Sequence, residues 1–214
     1  MRTLVLLSCA LVLLATVPGC AQGQNQDQGA PGPVFPPGYG SLRQSDLALN
    51  IRTGEVDVRL VPLDPRVTRL LARDAYESLE GLIHSRRAAI DSVARIYGIS
   101  SPGLALVTFF GGRAGVRFDP SSVNLVIRNR IQRPRGIVPF TPRFTSQQLD
   151  VREQVSAIYL FDELMPVTDD FNFAYQGRVS ENWQNKQRML DRERARVASR
   201  SRGTRPDSAV SASP

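Results

Sequence analysis

An apolar run bounded by glycines decides the fold of this chain, and it reads GLALVTFFGG over residues 103–112. A short run of this kind between glycines is consistent with a β-strand that is buried on both faces. A second strongly apolar run, VSAIYLF, follows at residues 155–161. From Pro102 onward the chain is therefore predicted to be β.

Shorter segments around these runs show the alternation that is typical of half-buried strands. Apolar and polar residues alternate over residues 56–60, 123–128 and 171–175, while residues 137–140 contain Pro139 and are expected at an edge or a bulge. Clusters of Gly, Pro, Asn, Asp and Ser separate the strands. This pattern favours an antiparallel sandwich, because a parallel sheet would need a helix between most of its strands.

One long helix is predicted to interrupt the strands, over about residues 65–97. Asp64 supplies an N-cap and Pro65 fits the first helical position, while apolar residues recur at helical spacing as far as Tyr97. Gly98 is the expected C-terminal glycine. The helix is long for a globular domain, so a break or bend is expected near residues 72–75.

A basic helix is predicted over residues 178–199, after the last strand. Trp183, Leu190 and Val197 lie seven residues apart and would form a thin apolar stripe. From residue 178 to the end there are nine basic and four acidic residues, a balance of 9 − 4 = +5. Residues 200–214 are predicted to be a disordered tail.

The start of the chain has the order of an export signal, with one basic residue, an apolar segment over 4–17 and small residues at the end. Val17-Pro18-Gly19-Cys20 resembles the lipobox of bacterial lipoproteins, although Pro18 departs from the usual pattern. The resemblance implies a signal over 1–19 and a diacylated Cys20. The rival interpretation is cleavage after Ala21 and soluble export; about 14 apolar residues are too few for a lasting membrane span.

Cysteine usage favours the lipid anchor. Cys9 leaves with the signal, so a lipidated Cys20 leaves a mature chain with no free thiol and no disulfide. Residues 20–44 are predicted to be the anchor and a disordered Gln/Pro/Gly-rich tether. Residues 45–177 are predicted to be the folded domain.

The order of segments within residues 118–177 resembles the immunoglobulin-like β-sandwich domains of uncharacterised bacterial envelope lipoproteins. A strand is followed by the arginine-rich turn 130–135, an edge segment, a polar loop at 145–152, an apolar strand ending Tyr159-Leu160-Phe161 and an aromatic strand. The resemblance implies a mainly β (α+β) sandwich with the inserted helix. Two immunoglobulin hallmarks are missing, because there is no cysteine pair and Trp183 follows the strands.

Candidate catalytic and metal-binding groups are sparse. His84 is the only histidine, and a triad with Ser78 or Ser85 and Asp91 lacks a nucleophile-elbow signature. Carboxylates at Asp162, Glu163, Asp169 and Asp170 are interpreted as a solvated loop rather than a calcium site or a glycosidase pair. Residues 111–115 are interpreted as a turn, because a P-loop ending is absent. We expect no catalytic residue, no metal and no cofactor.

Positive charge is the strongest chemical signal. The net charge is +7, and 26 of the 27 basic residues are arginines. Arginine clusters attract phosphates and carboxylates, which predicts an anionic envelope lipid or polymer as partner, with another envelope protein as an alternative and no nucleic acid. The alternative is that the arginines reflect base composition and are only solvated. The candidate residues are Arg128, Arg130, Arg133, Arg135, Arg188, Arg192, Arg194 and Arg196.

The sequence therefore predicts an exported, lipid-anchored protein of the bacterial envelope that acts as a non-catalytic binding or scaffolding module. One alternative is an envelope hydrolase, which converging carboxylates in a pocket would favour. Another is an accessory subunit of an envelope complex, which an exposed apolar patch on the long helix would favour.

Cys20→Ser is expected to abolish membrane association, because it removes the thiol that carries the lipid. Fractionation of cells that express the full chain tests this. A Cys20→Ser protein that still sediments with membranes would show that the lipid anchor is wrong.

Overall fold

The computed structural model describes residues 35–203. The predicted signal, Cys20, residues 20–34 of the tether and residues 204–214 of the tail lie outside the described residues. The strands of the described part are β1 (Leu49–Arg52), β2 (Val56–Pro62), β3 (Gly103–Gly111), β4 (Val116–Arg117), β5 (Val123–Ile127), β6 (Arg130–Gln132), β7 (Gly136–Pro139), β8 (Gln148–Leu149), β9 (Gln154–Phe161), β10 (Phe171–Tyr175) and β11 (Arg178–Val179).

These strands form two larger sheets and one small one, and neighbouring strands are antiparallel throughout. The five-stranded sheet has the order β1-β2-β3-β9-β7, and the four-stranded sheet has the order β11-β10-β5-β6. Strands β4 and β8 pair separately. The prediction of a mainly antiparallel β domain with a C-terminal helix is confirmed.

The two apolar runs become the two longest strands of the described chain, β3 and β9, and both are paired on each side. Strand β3 lies between β2 and β9, and it pairs with β9 over residues 103–110. The alternation predicted for residues 171–175 is also confirmed, because Phe171, Phe173 and Tyr175 are buried while Asn172 and Ala174 are half-buried. Strand β7, which contains Pro139, lies at the edge of its sheet as predicted.

The helix predicted over 65–97 is not one continuous element, and the break expected near residues 72–75 is found just before Arg73. The structure has three helices there, α1 (Pro65–Thr68), α2 (Arg73–Ser85) and α3 (Arg87–Ile96). The first break arises because the backbone at 70–72 pairs with Leu42 instead of continuing the helix. The Leu42 amide donates to the Leu70 carbonyl at 3.2 Å, and the Ala72 amide donates to the Leu42 carbonyl at 2.8 Å. The second break falls at Arg86, whose guanidinium donates to the Phe140 carbonyl.

Two tight hairpins also differ from the predicted pattern. Residues 130–132, predicted as part of a turn, form strand β6, and the turn is the pair Arg128-Asn129 with φ of +48° and +65°. Likewise Gln176-Gly177 closes a hairpin, so residues 178–179 form β11 instead of the start of the basic helix. Two central residues with positive φ match the right-handed twist of the flanking strands, which is why both pairs close hairpins.

The basic C-terminal helix, α4, spans Gln184–Gly203. Its predicted apolar stripe is confirmed, because Trp183, Leu190 and Val197 are fully buried. Trp183 stacks on Phe171 with the ring centroids 5.3 Å apart, and its indole N–H donates to the Val167 carbonyl at 2.9 Å. No helix within residues 35–203 combines the length and the apolar character needed to cross a bilayer.

Residues 35–44, which the sequence analysis assigned to the tether, pack on the domain. Leu42 is buried, and Phe35 and Tyr39 pack against the core. Ser41 binds Glu193 of α4 through both its amide and its hydroxyl, each 2.8 Å from Oε1. The start of the described chain is thus held against the C-terminal helix.

Trp183→Ala is expected to destabilise the domain by about 3–5 kcal/mol, because it empties a buried site and removes the stack on Phe171. The free energy of unfolding in urea, followed by circular dichroism, measures this. Arg192→Ala on the exposed side of α4 is the control and is expected to change stability by less than about 0.5 kcal/mol. Equal effects of the two substitutions would show that α4 is not part of the folded unit.

Candidate anion-binding site

A pocket of about 700 Å³ lies where the chain passes from β6 of one sheet to β7 of the other. Its walls come from the segment 133–137, the end of α3 and the short helical turn before β5. No acidic residue of the described chain lines it. The polar and aromatic lining residues are Tyr97, Ser121, Ser122, Asn124, Arg133 and Arg135.

Arg133 is the principal charged group of this pocket. Leu125 of β5 pairs with Gln132 of β6. The residues just beyond this pair, Asn124 and Arg133, therefore lie side by side at the end of the β5–β6 pairing. Arg133 forms no ion pair or hydrogen bond with any other residue between 35 and 203. The Asn124 amide nitrogen donates to the Ser122 carbonyl at 3.0 Å, and its Oδ1 has no hydrogen-bond partner in the same range.

Asp119 fixes the two serine hydroxyls of the pocket. Its Oδ1 accepts from the Ser121 amide at 2.9 Å and from the Ser121 hydroxyl at 2.6 Å, and its Oδ2 accepts from the Ser122 hydroxyl. Partial burial alone would raise the pKa of Asp119, but the hydrogen bonds from both serines lower it below its ordinary value. Asp119 is therefore a carboxylate at neutral pH, and both hydroxyl protons are committed to it.

Two core tyrosines hold the turn at residues 119–122 in place. The Tyr159 hydroxyl donates to the Pro120 carbonyl at 3.0 Å, and the Tyr175 hydroxyl accepts from the Asp119 amide at 3.2 Å. Burial raises the pKa of both phenols, so both stay protonated across the physiological range. The position of the pocket wall is thus determined by side chains that reach it from the core of the two sheets.

The predicted cluster 128–135 does not form one patch. Arg128 pairs with Asp169 at 3.4 Å, and Arg135 pairs with Asp162 at 2.7 Å. Arg130 lines a second pocket of about 500 Å³ together with Asp162 and Glu163. Because that pocket carries carboxylates of its own, it is a weaker candidate for an anion than the pocket at Arg133.

Of the four predicted arginines of α4, two are paired with acidic residues and two are not. Arg194 pairs with Asp191 at 2.7 Å, and Arg196 pairs with the buried Glu193 at 3.3 Å. Arg188 and Arg192 are exposed, and neither has an acidic partner within residues 35–203. Strand β11, which leads into α4, and strand β6 lie at opposite edges of the four-stranded sheet. The structure does not bring all eight predicted arginines together.

The triad suggested by sequence is not assembled. His84 is exposed on α2, and the Ser85 hydroxyl donates to the Leu82 carbonyl at 2.7 Å. Asp91 pairs with Arg87 on the next helix at 3.1 Å. These contacts leave the three side chains without the nucleophile–base–acid chain that the reaction requires.

Of the four carboxylates at 162–170, Asp162 pairs with Arg135 and Asp169 pairs with Arg128. Within the part of the chain that the structure describes, no three His, Cys, Asp or Glu side chains converge to hold a metal ion. Residues 111–115 form the predicted turn between β3 and β4. There the Gly115 amide donates to Asp150 at 3.1 Å, and Arg113 pairs with Glu55.

Sequence reasoning missed the pocket residues other than Arg133 and Arg135. One signal for them is the tetrapeptide Asp119-Pro120-Ser121-Ser122, which repeats the Asp-Pro start seen at α1. In both places Asp caps the following turn and Pro occupies its first position. No pattern in the sequence indicates that this turn lies beside Tyr97 and Arg133.

Comparison of the chain with protein-family models, with curated proteins and with solved structures finds no match. Function is therefore inferred from the geometry of the site.

Asp119→Asn is expected to lower the free energy of unfolding by about 1 kcal/mol at pH 6, because the serines lose a charged acceptor that is partly open to solvent. The folded-state pKa of Asp119 is lowered, so its stabilisation is present above the ordinary value of 3.8 and is lost as the pH falls through the lowered value. Urea unfolding of both proteins from pH 6 to pH 2 measures the difference, which should vanish in acid. A difference that is the same at every pH would contradict this role of the carboxylate.

Proposed function

We propose that this protein is an exported envelope lipoprotein, held at a membrane through a lipid on Cys20, whose domain is a non-catalytic module that binds an anionic component of the envelope. The observation that carries the proposal is Arg133. This side chain stands on the wall of a pocket without carboxylates and has no partner within residues 35–203.

An arginine in this setting is suited to an external anion. The planar guanidinium donates two parallel hydrogen bonds to a carboxylate or phosphate. At Arg135 a ligand has to compete with Asp162, whose two oxygens lie 2.9 and 2.7 Å from Nε. At Arg133 the described chain offers no such competitor. Arg133 is therefore the residue that we assign to the ligand, with Arg135 as a supporting charge.

The exposed arginines of α4 fit the proposed membrane attachment. Arg188 and Arg192 are exposed and have no acidic partner within residues 35–203. Anionic lipid headgroups attract cationic side chains of this kind. These two arginines would add to the attachment that a lipid on Cys20 provides.

We also propose that the domain is an immunoglobulin-like sandwich. Support comes from the contact between Phe109 of β3 and Tyr175 of β10, whose ring centroids are 5.8 Å apart across the core. Further support comes from the path of the chain, which passes between the two larger sheets from β3 to β5, from β6 to β7 and from β9 to β10. Crossings of this kind are typical of sandwich folds.

Arg133→Gln is expected to weaken binding to anionic polymers at least about tenfold, because it removes a charge-assisted pair of hydrogen bonds. Calorimetric titration of the mature protein with oligogalacturonate and with phosphomannan fragments measures this, with maltooligosaccharide as the neutral control. Arg117→Gln is the matched variant, since Arg117 is exposed and lies outside the pocket. If Arg133→Gln and Arg117→Gln bind both polyanions equally well, the proposed function is wrong.

A further inference from the structure

The hydrogen-bond donors and acceptors that line the Arg133 pocket limit the kinds of ligand that it can bind. The serine hydroxyl protons point to Asp119, which leaves the Ser121 and Ser122 oxygens with only lone pairs to offer. The Asn124 amide group donates one of its two N–H bonds to the Ser122 carbonyl, and its Oδ1 is buried without a partner within residues 35–203, so Asn124 is not assigned to the ligand. The two serine oxygens are therefore acceptors, while the guanidinium groups are the charged donors.

A simple anion does not match this arrangement. A phosphate or carboxylate polymer without hydroxyl groups is itself an acceptor, so the serine oxygens would face it with no proton between them. A neutral sugar supplies hydroxyl donors but leaves Arg133 without a counter-charge. A ligand that carries an anionic group and hydroxyl groups on the same unit satisfies both sets of partners.

Tyr97 adds an apolar face to the same pocket. Its side chain is 55% exposed at the end of α3, and its Cε2 would lie 3.8 Å from a Cβ at position 136. A bulkier residue cannot be placed at Gly136, since its Cβ would lie 2.2 Å from Cγ1 of Val93. The aromatic ring therefore lies close to the backbone of Gly136. An exposed ring in this position offers a flat surface to the C–H face of a sugar ring.

We infer that the pocket binds a sugar unit that bears a carboxylate or a phosphate. Arg133 would bind the anion, the Ser121 and Ser122 oxygens would accept from the hydroxyls, and Tyr97 would lie against the ring. This inference rests on the proposed function, because it uses Arg133 as the anion-binding residue. It adds the requirement that the ligand is an acidic saccharide and not any polyanion.

The test compares each anion with and without hydroxyl groups on the mature protein. Oligogalacturonate is paired with polyacrylate of the same charge, and phosphomannan fragments are paired with polyphosphate. At least one saccharide is expected to bind about tenfold more tightly than its hydroxyl-free counterpart, because only the saccharide satisfies the acceptors. Comparing the two pairs shows whether the anion is a carboxylate or a phosphate.

Tyr97→Leu separates sugar recognition from charge recognition. It is expected to weaken binding of the preferred saccharide about fivefold and to leave polyacrylate and polyphosphate unchanged, since stacking concerns only the ring. Ile96→Ala, at the neighbouring exposed position outside the pocket, is the control. Circular dichroism of each variant verifies that the fold is intact.

The outcomes distinguish this inference from the proposed function. Binding that depends on Arg133 but is equal for each saccharide and its hydroxyl-free counterpart overturns the saccharide assignment and leaves the anion site standing. Equal binding of maltooligosaccharide and the acidic saccharides overturns both. Both are also overturned if Arg133→Gln changes the affinity for none of the polymers.

Discussion

The aromatic cluster around Phe109 is the contact on which the rest of the structure depends. Phe109 stacks on Phe118 with the centroids 4.5 Å apart, and it meets Phe144 at 6.0 Å and Tyr175 at 5.8 Å. These rings come from β3, the segment after β4, the turn after β7, and β10. Each such pair contributes about 0.5–1.5 kcal/mol beyond its buried area, and together they fix how the two larger sheets face each other.

The candidate site is a consequence of that core. Tyr175 belongs to the cluster and also accepts from the Asp119 amide, while Tyr159 on β9, the strand beside β3, donates to the Pro120 carbonyl. Asp119 in turn orients Ser121 and Ser122 in the pocket. The polar wall is thus preorganised by buried groups, which reduces the loss of side-chain freedom when a ligand binds. The Arg133 side chain, by contrast, has no partner in the described chain, and its backbone directly follows β6.

The sequence predicts those parts of this structure that depend on local pattern. Burial over 103–110 and 171–175 follows from apolar runs and alternation, and the stripe of Trp183, Leu190 and Val197 follows from helical spacing. The hairpin at Arg128-Asn129 is not predictable in this way, because the usual Asn-Gly or Asp-Gly signal is absent. The break before α2 depends on Leu42, which is distant in sequence from residues 70–72 and pairs with them only in the folded chain.

The same distinction between local and long-range contacts explains why the arginine pattern in the sequence identifies a basic segment but not the arginine that is free to bind a ligand. Composition identifies residues 128–135 as basic but does not show which charges are already neutralised, since Asp162 and Asp169 lie 27 and 41 positions away from Arg135 and Arg128. Folding pairs those two arginines and leaves Arg130 and Arg133 without a partner in the described chain. Arg130 is the first residue of β6 and Arg133 follows the strand, and the two line different pockets, one with carboxylates and one without. The chemical difference between neighbouring arginines therefore comes from the tertiary fold, and it singles out Arg133 as the residue available to an external anion.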